Sequence, residues 1–99
     1  MYARVTTMQI PLDQLDATRQ RLQPLDNSAH ARAHGFKGTT VLLDPQTGTV
    51  LTIGLWETEA DLQASLPGHQ ARTARGEQQG VTTLGMTIYE VVGRVDPQP

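Results

Sequence analysis

The chain predicts an α+β domain of ferredoxin-like type: element order β-α-β-β-α-β, a four-stranded antiparallel sheet, and helices on one face. Three observations carry that expectation. Val41-Leu42-Leu43 and Val50-Leu51-Thr52-Ile53-Gly54-Leu55-Trp56 are runs of β-branched and large apolar residues, the composition of paired strands. Asp44-Pro45-Gln46-Thr47-Gly48 between them supplies turn chemistry, with Pro45 fixing φ and Gly48 free to take φ > 0. Thr58, with Asp61 three residues on, then forms an acidic capping box that starts a helix.

The remaining elements follow in order. Tyr2 to Ile10 is β-prone at Val5, Thr6, Thr7 and Ile10. Pro11 suits a first helical turn, and Leu12, Leu15, Leu22, Ala29 and Ala33 recur at helical spacing. Pro24 interrupts that pattern, so a helix is expected over 11–23 with a kink or restart near Asp26, and Gly35 as its C-terminal cap. The second helix carries Ala60, Leu62, Ala64 and Leu66, is broken by Pro67-Gly68, and resumes over 69–79 until Gly80 ends it. Residues 81–92 form a last strand with Leu84, Met86 and Ile88 on one face. One domain over 1–95 and a frayed tail over 96–99 are expected.

Composition narrows the function classes. Net charge is −2 and no basic run is present, so neither nucleic acid nor an anionic membrane is an expected partner. The absence of cysteine excludes disulfides, thiol nucleophiles and thiolate metal sites. No apolar stretch approaches ~18 residues and the first five residues do not open a signal peptide, which makes the cytoplasm the expected location. Charged residues make up 18% of the chain, below the usual value of about 25%, which suggests surface hidden against a partner. The third strand is apolar on both sides, with Leu51, Ile53 and Leu55 on one and Val50 and Trp56 on the other; the fourth adds Tyr89 and Val91. Helices on one face leave the other bare, and a second copy packed sheet to sheet is the simplest cover. A homodimer is expected, with Val50 or Val91 at its contact.

Gly35-Phe36-x-Gly38 at the start of strand two, Leu43-Asp44-Pro45 at the turn, and Leu55-Trp56-Glu57-x-Glu59-x-Asp61-Leu62 from strand three into the helix resemble a known family. With the element order, they look like the dimeric α/β-barrel superfamily, and within it the antibiotic biosynthesis monooxygenase-like domains. The resemblance implies a homodimer whose two sheets form a barrel, with a ligand cavity between each sheet and its helices. Members include cofactor-independent oxygenases of aromatic polyketides, haem-degrading enzymes and proteins with no established reaction. It implies a cofactor-independent, monooxygenase-like oxidoreductase acting on a small apolar or aromatic molecule, with no cofactor. The alternative is a dimer of the same fold that binds a small ligand without turnover, or serves interaction alone. Haem degradation is disfavoured: the one asparagine, Asn27, is not on the first strand, where that branch places its residue.

The residues themselves supply four candidates. His69, after the Pro-Gly break, is the candidate base, since a neutral imidazole can take a proton near pH 7; a solvent-facing histidine beside Gln70, Arg72 and Arg75 is the competing reading. Trp56 ends its strand as a platform for an aromatic ligand or an indole N–H donor, although large aromatics more often fill cores or interfaces. Phe36 and Tyr89 are weighed in the same way as ligand contacts. His30 and His34 stand four apart and share a helical face, but two imidazoles fall short of the usual three or four ligands, so no metal is expected. Glu57, Glu59 and Asp61 favour a helix start, and the glycines do not form a phosphate-cradling spacing. A pocket between the sheet and the second helix, touching Trp56, His69 and Phe36 or Tyr89, is the expected site.

Overall fold

The computed structural model describes residues 1–22 and 34–98. Strand β1 (Tyr2–Gln9) leads through a 3-10 turn (Leu12–Gln14) into α1 (Leu15–Leu22). Then come β2 (Phe36–Asp44), β3 (Thr49–Trp56), α2 (Glu59–Ala64), α3 (Leu66–Gln78) and β4 (Thr82–Glu90). The strands lie in the order β2-β3-β1-β4, every neighbour antiparallel. This is the α+β, ferredoxin-like arrangement that the element order predicts. The expected kink near Asp26, together with Asn27 and His30, lies outside the described residues.

Local chemistry acts where the turn and cap residues place it. Gly48 sits at φ +78, and a Cβ there would collide with the Ile10 carbonyl oxygen, so the turn tolerates only glycine. The Thr58 hydroxyl accepts the Asp61 N–H at 3.1 Å and caps α2. Two boundaries differ from expectation. The second helix breaks at Ser65, not at Pro67-Gly68: Pro67 has no N–H for the Gln63 carbonyl and its ring would crowd it, so continuity is lost in the preceding turn. Pro67 and Gly68 then sit in the first turn of α3, where proline is tolerated. The last strand is shorter than expected, ending at Glu90.

Register decides which side chains look toward the helices, since neighbours along a strand point to opposite faces. Arg4 lies between Gly54 and Ile88, and Thr6 between Thr52 and Met86. These even-numbered residues of β1 and β3, with Trp56 and Val50, form the inner face. Val5, Leu51, Ile53 and Leu55 form the outer one, with Tyr89 beside Ala3. Val50 is 2% exposed, so it belongs to the protomer's own core and not to the contact expected of it. A bulge between Thr7 and Met8 leaves Leu84 unpaired on β4, and the alternation of Leu84 with Met86 and Ile88 is broken there. The buried apolar core comprises Ala3, Ile10, Val50, Trp56 and Leu62. At ~25 cal/mol per Å² of apolar surface, a large apolar side chain contributes about 1.5–3 kcal/mol when fully buried.

Candidate functional site

Between the inner face of the sheet and α3 lies a cavity of about 240 Å³. An apolar cavity of about 150 Å³ can hold benzene, so this one suits a substituted ring or two fused rings. Each strand supplies one side of it. From β1 come Arg4, Thr6 and Met8; from β2, Thr39 and Val41; from β3, Thr52 and Gly54; from β4, Thr83. Helix α3 closes it with His69, Arg72, Thr73 and Gly76, and Val81 completes the wall. Threonine suits these positions because it is β-prone and turns a methyl as well as a hydroxyl to the interior. The walls are largely carbon, while the charged groups among the lining residues are the two guanidiniums.

His69 lies within hydrogen-bond reach of buried Thr6, Nε2 to Oγ1 at 3.3 Å. Burial first, and then the positive charges of Arg4 and Arg72, push the imidazole down to about 4, so it is neutral at pH 7. Arg4 is 6% exposed, donates to Ser65 Oγ at 2.5 Å, and holds its guanidinium carbon 5.9 Å from the centre of the Trp56 ring. Burial, and next Arg72, lower its guanidinium to about 10, which leaves it charged at neutral pH. Ser65 donates its own hydroxyl hydrogen to the Leu62 carbonyl at 2.6 Å, so the joint between α2 and α3 is where Arg4 is anchored. Arg72 follows His69 by three residues on α3 and reaches the same cavity.

Of the four residues singled out from sequence, His69 alone lines the cavity. Trp56 lies just beneath it, 1% exposed, its indole Nε1 unpaired and 3.6 Å from where a Cβ on Gly54 would stand. Gly54 lines the cavity, and its lack of a side chain leaves room for the indole packed beneath it. Phe36 packs on Trp56 with ring centres 5.0 Å apart and planes at 58°, away from the cavity lining. Tyr89 is 53% exposed and, paired with Ala3 on the outer face, cannot share a site with His69. Arg4, Thr6 and Arg72 were missed. The signal for Arg4 was a charge inside a β-prone run, at the same parity as Thr6; for Arg72 it was the three-residue spacing from His69.

His34 is exposed and pairs with Asp61, Nδ1 to Oδ1 at 2.9 Å. No cluster of three or more metal-ligating side chains occurs among the described residues. No helix among them is long and apolar enough to cross a membrane.

A ferredoxin-like sheet roofed by a broken helix, with a carbon-walled and positively charged cavity beneath, makes this a small α+β protein with an interior cavity between sheet and helix. The family model described as antibiotic biosynthesis monooxygenase matches residues 1–76, and the chain belongs to that family. Solved structures agree on the fold. A candidate antibiotic biosynthesis monooxygenase from Deinococcus radiodurans superposes with TM-score 0.75 at 20% identity, covering 100% of both chains. The haem degrader MhuD of Mycobacterium tuberculosis, with two haems bound in its active site, gives 0.71 at 18% identity over 97% of this chain and 100% of its own. A further candidate monooxygenase from Chloroflexus aurantiacus gives 0.65 at 21% identity over 96% of each chain. A search of curated proteins found no match.

Proposed function

We propose that the protein is a cofactor-independent, monooxygenase-like enzyme acting on a small aromatic molecule with an acidic C–H, bound between the sheet and α3. The observation that supports this most is the neutral His69 imidazole held against Thr6 beside two guanidiniums. In the tautomer whose Nε2–H donates to Thr6 Oγ1, Nδ1 is free to accept a proton. Removing the proton from a methylene flanked by aromatic or carbonyl groups leaves a carbanion, with its charge delocalised onto oxygen near Arg4 and Arg72. The carbanion's electron pair forms a C–O bond with molecular oxygen, which is reduced to a peroxide. The peroxide takes the proton from His69, and loss of water leaves a ketone. In balance, one methylene and one molecule of oxygen give one carbonyl and one water, so each product receives a single oxygen atom. The substrate supplies all the electrons, and no cofactor enters.

The low basicity of His69 favours a second reading, a dimer that binds its ligand without turnover. Oxygen uptake separates the two. Anthrones and 1,3-diketones should be titrated while oxygen and the fluorescence of the single tryptophan are followed together. Turnover that is lost in His69→Ala supports the enzyme; quenching with no oxygen uptake supports the binding protein. In either reading the working unit is a homodimer, because the outer face carries Val5, Leu51, Ile53 and Leu55 flanked by Leu42 and Tyr89, 48% and 53% exposed. A contiguous apolar face of this kind calls for a cover, and a twofold contact is the commonest way to provide one.

A further inference from the structure

We infer that the ligand of this cavity is an anion, a planar aromatic carboxylate of one or two rings whose carboxylate lies between Arg4 and Arg72. The inference rests on the cavity being a small-molecule site and adds the charge of its occupant. Four ion pairs occur among the described residues, and none includes either arginine. No aspartate or glutamate lines the cavity. Arg4 is 6% exposed, and its contacts, the neutral Ser65 hydroxyl and the Trp56 ring face, leave it with no carboxylate counter-charge among the described residues. A buried cation with no counter-charge is costly, and a second one facing the same space adds to that cost.

Two further polar groups at or beneath the site have no partner among the described residues. Trp56 Nε1, packed beneath Gly54, is a buried donor with no acceptor among the described residues. The Thr83 hydroxyl is also buried and unpaired on the opposite wall. The two guanidinium forks that line the cavity are donors only, and a carboxylate is acceptor-only, with two oxygens in one plane. The carbon of Met8, Val41 and Val81 surrounds the rest of the space, which suits an apolar ring better than a free inorganic anion.

The test is calorimetric titration of the intact protein with 1-naphthoate, its neutral isostere 1-naphthamide, and inorganic phosphate, at low and high salt. We expect 1-naphthoate to bind about tenfold tighter than the amide, a difference of one charge-assisted contact. Arg72→Gln should reduce that preference, Arg4 retaining part of it, and Arg72→Lys should restore most of what is lost. Thermal melts of the variants report folding independently. Naphthamide binding as tightly as naphthoate would overturn the inference while leaving a small-molecule cavity standing. Phosphate binding as tightly as naphthoate would overturn the aromatic part. Neither organic ligand binding at millimolar concentration would overturn both this inference and the site beneath it.

Discussion

Arg4 and His69 share one neighbourhood, and burial first, then the charge on Arg4, makes His69 a weaker base. The consequence for stability has a definite sign. Unfolded, His69 titrates near its ordinary 6.5, while in the folded chain it titrates at about 4. As pH falls from 6.5 toward 4 the unfolded chain takes up a proton that the folded one refuses, so stability falls across that window. Below about 4 this group adds no further slope. Asp44 and Asp61 are held below their usual value by hydrogen bonds, first from the Gln46 N–H and His34 respectively, so their contributions are lost as pH falls through the carboxylate range, under that window. His34 is raised by Asp61 and works in the opposite sense: its contribution is present below pH 6.5 and is lost as pH rises through its folded value. Thermal melts from pH 7 to 4 should show a declining Tm, and His69→Gln should flatten that decline. An unchanged decline in His69→Gln would mean that His69 is not shielded as described. At this scale the sequence offered His69 as a titratable residue after a helix break, but its basicity depends on burial against the sheet and then on Arg4, far away in the chain, and no local pattern reveals either.

The hairpin and the cap of α2 were legible in the sequence because each is settled within a few neighbouring residues. Thr58 accepts from Asp61, and removing that hydroxyl leaves a helix-end N–H without its partner. Thr58→Ala should lower stability by about 1 kcal/mol in a urea melt, with the m-value unchanged. A melt that coincides with the parent would mean that Asp61 N–H finds water equally well. The position of the break between α2 and α3 was less legible, because proline acts on the turn before it, and because Ser65 is also engaged by Arg4 from the sheet. The parity of β4 was hidden for a similar reason: a bulge changes the count, and the register of β1 decides where it falls.

The sheet order of the whole molecule follows from element order, since hairpins and crossovers admit few arrangements. The two-sided apolar character of β3 was also readable, but which side faces the helices was not. That depends on the register of Arg4 with Gly54, set by the full pairing of β1 and β3. The distinction has a direct test in two neighbouring positions. The parent should sediment at about twice 10.8 kDa. Ile53→Asp, on the outer face, should yield a folded monomer, because a carboxylate buried in the contact would lack a partner. Val50→Asp, in the core, should unfold the chain instead, and its loss of helical circular dichroism would separate the two effects. Ile53→Asp remaining dimeric at micromolar concentration would remove the outer face as the contact.

Leu84 is the residue that the sheet ladder can do without. Thr7 is opposite Gly85 and Met8 is opposite Thr83, so β1 offers nothing to the position between them. Losing one residue inside a strand ordinarily sends everything beyond it to the wrong face. Here excision would join Gly85 to Thr83 with every pairing intact and Thr83 still looking into the cavity. The bulge is thus a place where an edge strand can absorb a change of length, and a chain lacking Leu84 should still fold, with a flatter β4. Circular dichroism and a crystal structure of the shortened chain would settle it: a scrambled β4, with Thr83 turned outward, would mean that the extra residue is what holds the register.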